Sequence, residues 1–144
     1  GDLQQWRNSS STPLTVINNV GNVGIGTTSP TTKLEVSCPS GFTNVKASEN
    51  QLGCMETAEH GTGDFWTAAN TCFTSYGGRL PIYSEWYISM NNFTLTDETG
   101  NWEWMGNGDY YTEEACSIAG NSALTSVNTS ACSTTKTYRC WIPR

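Results

Sequence analysis

Apolar and polar positions alternate in three short stretches near the start of the chain. Leu14 and Val16, Val23 and Ile25, and Leu34 and Val36 each flank a polar or glycine residue. That period of two predicts half-buried strands. Asn18-Asn19 and Gly21-Asn22 are turn signals between the first two, and Pro13 and Pro30 punctuate the ends. Further on the period changes. Phe65, Ala68, Ala69, Cys72, Phe73 and Tyr76 recur at helical spacing, with Asp64 placed as N-cap and Gly77-Gly78 as the exit. A second helix is predicted over about Ser84 to Met90, with Ser84 as its cap. Trp102-Glu103-Trp104 alternates like a strand.

Cysteine usage divides the chain in two. All six cysteines (38, 54, 72, 116, 132 and 140) lie beyond residue 37. Residues 1–37 are therefore read as an extended N-terminal arm and residues 38–144 as the main domain. The arm's apolar inventory is Leu3, Trp6, Leu14, Val16, Ile17, Val20, Val23, Ile25, Leu34 and Val36. So short a segment cannot bury these side chains alone, and short strands leave unpaired edges. It must lie on its own C-terminal domain, trimerise, or add strands to a neighbouring subunit. The bland alternative, a disordered linker, sits poorly with the β-branched alternation and Trp6.

Composition narrows the setting. An even number of cysteines without a Cys-x-x-Cys pair, beside a single histidine, His60, argues for three disulfides over zinc and for an extracellular or cell-surface location. Net charge is −6, and the seven Lys and Arg are scattered, which disfavours nucleic acid. No apolar run reaches the ~18 residues of a membrane helix. The chain begins at Gly1, which we read as a cleaved leader or a mature fragment. Asn-x-Ser/Thr triplets stand at Asn8, Asn92 and Asn128, candidates for glycosylation in a chain where chance also produces such triplets.

Two resemblances add to this. The run GNVGIGTTSPTTKLEV, Gly21 to Val36, is similar to segments of phage tail fibres and large bacterial surface proteins, where it belongs to a stalk or assembly region. Residues 38–144 resemble the C-type lectin-like domain. The carriers are CPSGF from Cys38, the W-x-x-A-x-x-C helix ending in GGRLP, Trp102-x-Trp104, and the closing Tyr138-Arg139-Cys140. The resemblance implies an α+β, disulfide-stapled fold with pairs Cys72–Cys140, Cys116–Cys132 and Cys38–Cys54; spacing alone does not choose among pairings. It also places Trp66, Trp102 and Trp104 in the core. The family's calcium-dependent sugar triplets, Glu-Pro-Asn or Gln-Pro-Asp and Trp-Asn-Asp, are missing. The carboxylates Asp97, Glu98, Glu103, Asp109, Glu113 and Glu114 read as a solvated acidic face in preference to a calcium site, and no other cofactor is expected.

No nucleophile signature accompanies His60, which reads as a loop residue, and no enzyme is expected. The functional expectation is a self-associating structural subunit of an extracellular fibre, joined through its N-terminal arm. Leu3, Trp6, Leu14, Val16, Ile17, Val20, Val23 and Ile25 are its contact residues. The alternative is an adhesin or lectin-like head for a cell-surface glycan or protein, on a trimeric stalk.

Overall fold

The computed structural model describes residues 2–48, 50–92, 95, 102–106, 115–120 and 127–144. Strand accounts for 42% of these residues and helix for 18%, with two helices. The structure is therefore mostly β-sheet, and the expected α+β lectin-like class is corrected. Three-residue strands such as Val23–Ile25, Leu34–Val36, Lys136–Tyr138 and Trp141–Pro143 make up part of that excess. Alternation marks the first two in sequence, while Lys136–Tyr138 and Trp141–Pro143 are too short and too near the last cysteine to stand out.

The chain divides into two compact units. The first holds residues 1–40, 44–54 and 144; the second holds 41–43 and 55–143. The division falls within two hydrogen-bonded neighbouring strands, β5 (Phe42–Ala47) and β6 (Asn50–Glu56).

In the N-terminal unit, β1 (Gln4–Arg7), β2 (Pro13–Ile17), β3 (Val23–Ile25) and β4 (Leu34–Val36) form a four-stranded sheet in that order. The residues expected as an extended arm of short strands thus pair among themselves as one sheet. Asparagines make this closure local. Asn8 Oδ1 accepts from Ser10 and Thr12 N–H at 3.0 and 2.9 Å, turning β1 into β2. Asn18 Oδ1 accepts from Val20 and Asn22 N–H at 3.1 and 2.9 Å, turning β2 into β3. The β1–β2 and β2–β3 pairs are antiparallel, while β3–β4 is parallel.

The segment between β3 and β4 therefore crosses one face of the sheet. There Gly24 has no room for a side chain: a Cβ would meet the Thr27 carbonyl oxygen at 2.8 Å. Asn18 and Asn22 amides both donate to the Pro30 carbonyl, at 3.1 and 3.3 Å, and hold the crossing segment down. Cys38–Cys54 staples this unit, with its Cα atoms 5.7 Å apart.

The C-terminal unit is built on a five-stranded sheet ordered β10-β9-β8-β11-β7. These strands are β7 (His60–Gly63), β8 (Glu103–Trp104), β9 (Ala115–Ala119), β10 (Val127–Ala131) and β11 (Lys136–Tyr138). Helix α1 (Phe65–Tyr76) buries Ala68 and Cys72 in a cluster with Leu80, Trp104, Ile118 and Tyr138. Asp64 caps it, accepting from Thr67 N–H at 2.7 Å. Gly77 ends it at φ 63°, and Gly77 and Gly78 N–H reach the Phe73 and Cys72 carbonyls at 2.9 and 3.0 Å. Arg79 then bridges Trp141 of β12 (Trp141–Pro143) through two main-chain bonds of 2.9 and 2.7 Å. Helix α2 (Tyr83–Asn92) follows, with Glu85 in its first turn gripping Arg79 at 2.7 Å. Cys72–Cys140 and Cys116–Cys132 staple this unit across 68 and 16 positions of sequence.

Candidate assembly surface

The register of the N-terminal sheet fixes what each face presents. Trp6, Thr15, Ile25 and Val36 are successive cross-strand partners, and so are Gln4, Ile17, Val23 and Leu34. Side chains alternate across a strand and line up across a pair, so all eight share one face. Six of them are apolar. Trp6 is 48% exposed, Ile25 45% and Leu34 55%. An apolar sheet face this open marks an interaction surface better than scattered single residues do.

The opposite face is covered over Val16 and Gly24 and open at Leu14. Val16, expected among the contact residues, is fully buried there, because it pairs with Gly24, over which Thr27 and Pro30 of the crossing segment pass. Glu35 accepts from Thr31 N–H at 2.9 Å and meets Lys46 at 3.4 Å. Burial pushes its carboxyl up, but these bonds outweigh that and hold it below the usual carboxylate value. Leu3, Leu14 and Val20 are exposed; Ile17 and Val23 are half-buried on the open face.

The two edges of the sheet differ. Among the described residues, β1 has a neighbour only in β2. At β4, Gln51 Oε1 accepts from Val36 N–H and Gln51 Nε2 donates to the Val36 carbonyl, both at 2.8 Å. Thr32 Oγ1 donates to the Leu34 carbonyl at 2.8 Å. Side chains thus occupy main-chain groups that an added strand would need, and strand addition at β4 is blunted. Beside that edge lies a pocket of about 300 Å³ lined by Lys33, Leu34, Val36, Asn50, Gln51 and Arg144, all residues of the N-terminal unit.

The C-terminal unit has a buried polar cluster instead. Glu56 receives the Cys140 N–H at 3.0 Å and pairs with His60 Nδ1 at 2.8 Å. His60, expected in a loop, lies in β7 and stacks on Tyr138 at 5.0 Å. Glu56, His60 and Cys140 converge closely enough for a metal, but the Cys140 sulfur is bonded to Cys72 and supplies no thiolate. Arg139 Nε donates to Glu103 at 3.2 Å, and both residues are buried. Burial pushes the Glu103 carboxyl up to about 8, against the pull of Arg139 and with the push of Glu59. Glu103 is therefore a core group and no part of a solvated acidic face; Asp97, Glu98, Asp109, Glu113 and Glu114 lie outside the described residues.

Surface aromatics also depart from expectation. Trp66, placed in the core by the resemblance, is 62% exposed, and Phe73, one helical repeat of seven further along α1, is 70% exposed. Trp104 is buried with its indole N–H on the Gly63 carbonyl at 2.8 Å, and Trp102 is half-buried. Among the sequons, Asn8 sits in its exposed turn, Asn92 ends α2 and Asn128 lies on β10, all solvent-facing.

No protein family matches the chain, and no curated protein matches it. Among the described residues, no helix is long and apolar enough to cross a membrane. The three disulfides are consistent with an extracellular setting.

Proposed function

We propose that the protein is a self-associating structural subunit of an extracellular fibre, joined through its N-terminal unit. One observation carries this reading: the open sheet face on which Trp6, Ile25 and Leu34 stand about half exposed. Fully burying a large apolar side chain stabilises by about 1.5–3 kcal/mol. Three half-exposed ones recover roughly half of that each. Association costs ~4 kcal/mol or more in lost freedom. The face alone is therefore marginal and needs a second contact in the same interface. Because β4 is blunted and β1 is not, strand pairing has only one edge to use. Pairing β1 with β1 closes a dimer, so a growing fibre requires two different surfaces on each copy.

Sedimentation velocity of the full chain over a range of concentrations tests this. Open assembly gives species that keep growing with concentration; a monomer at every concentration would sink the reading. A second reading, a binding head for a cell-surface glycan or protein, is favoured by the exposed Trp66 and Phe73 on α1, since exposed aromatics stack on sugar rings or bury against partners. A glycan array with the full chain tests that one.

A further inference from the structure

Resting on the assembly reading, we infer that the pocket beside β4 receives Trp6 of a second copy of this chain. The pocket has an apolar wall and a cationic rim. Leu34 and Val36 form the wall and point to the same sheet face as Trp6. Lys33 and Arg144 stand on the rim, and neither has an ion-pair partner among the described residues. Asn50 and Gln51 add amide donors.

The occupant matches in apolar character and charge. Trp6 is the largest exposed apolar side chain of the N-terminal unit. An indole fills an apolar slot, and its face attracts cations such as Lys33 and Arg144. Asp2 lies four residues before Trp6 and supplies the opposite charge to that rim. A chain cannot satisfy its own pocket. β1 and β4 are the two outer strands of one sheet, three strand spacings of ~4.8 Å apart.

Direction follows from the strand order. β1 is antiparallel to β2, β2 is antiparallel to β3, and β3 is parallel to β4. β1 and β4 therefore run the same way and present the same face. Moving a copy sideways across the strands brings its β1 side to the β4 side of its neighbour with strand direction and face preserved. The contact is heterologous, repeats without closing, and generates an open polymer.

Complementation between two assembly-dead variants of the full chain tests this. Trp6→Ala removes the plug and keeps the pocket. Lys33→Glu with Leu34→Glu spoils the pocket and keeps the plug. Both act at exposed positions. The critical concentration for polymer is expected to rise roughly tenfold or more for each alone. An equimolar mixture is expected to give dimers only, one plug in one pocket. Restored growth in Asp2→Lys combined with Lys33→Glu and Arg144→Glu would add the charge pairing. Wild-type polymer with unimpaired polymer from both variants overturns the pocket and leaves the assembly reading standing, as does a monomeric mixture. Closed dimers of the pocket-dead variant alone would move the contact to β1 pairing and overturn it too. A wild-type chain that never polymerises removes both ideas.

Discussion

The two units solve the same problem in opposite ways. The C-terminal unit encloses a core, with Ala68, Leu80, Trp104 and Ile118 all within 3% of full burial and two disulfides tying it, while Trp66 and Phe73 stand exposed on α1. The N-terminal unit covers part of one sheet face, over Val16 and Gly24, with its own crossing segment and leaves the other face open. The N-terminal sheet leaves both the β1 edge and one apolar face open, the two features on which the assembly proposal rests.

The comparison is broken most forcefully through the staples and the core. Replacing Cys72 and Cys140 with serine releases the loop of 68 positions and is expected to cost about 4 kcal/mol. Releasing Cys38–Cys54, with 16 positions, is expected to cost about 3 kcal/mol and to loosen the β4 edge that Gln51 holds. Urea midpoints followed by hydrogen exchange on separate peptides read the two units apart. A larger loss from the shorter loop would reverse the ranking.

A smaller pair of substitutions compares buried with open leucines. Leu80→Ala hollows the C-terminal core and is expected to cost about 3 kcal/mol. Leu34→Thr on the open face is expected to stay within about 0.5 kcal/mol in the dispersed chain while weakening assembly. Chemical denaturation below the assembly concentration checks both; a costly Leu34→Thr would mean the face is already covered.

The smallest effect is one of sign with pH. Glu35 is held below its usual 4.5. Its contribution is present above the unfolded value and is lost as pH falls through the lowered folded value. Glu103 sits at about 8 in the folded state. Its contribution is fully present below the unfolded 4.5 and is lost as pH rises through about 8. Acid is therefore expected to loosen the N-terminal unit first and alkali the C-terminal unit first. Hydrogen exchange across that range checks this, and Glu103→Gln is expected to flatten the alkaline limb alone. Loosening of both units in the same direction would contradict the assignment.

Local signals were legible where one residue type has one physical use. Asp64 caps α1, Gly77 and Gly78 end it, and Asn18 turns β2 into β3, each as its chemistry requires. Alternation over Leu14–Val16, Val23–Ile25 and Leu34–Val36 also marked three strands. Pairing order was not legible, because periodicity carries no information about which strand lies beside which. The parallel β3–β4 step, and hence the burial of Val16, depends on a segment crossing over Gly24 that a pattern of single positions does not show. Phe73 shows the limit on a helix: the period put it on the apolar face, and it is 70% exposed. Adjacent Phe65 and Trp66 cannot both face the core; the helical period selects Phe65, which lies edge-on to Trp104 at 5.8 Å, and the core placement of Trp66 that the family resemblance implied did not hold.

The central claim is that assembly runs through the N-terminal sheet and not through the aromatic stripe of α1. Negative-stain electron microscopy of three full-length proteins side by side tests it most directly: wild type, Ile25→Thr with Leu34→Thr, and Trp66→Ser with Phe73→Ser. We expect fibres from wild type and from the helix variant, and dispersed particles from the sheet variant. Fibres from the sheet variant beside dispersed particles from the helix variant would contradict the claim.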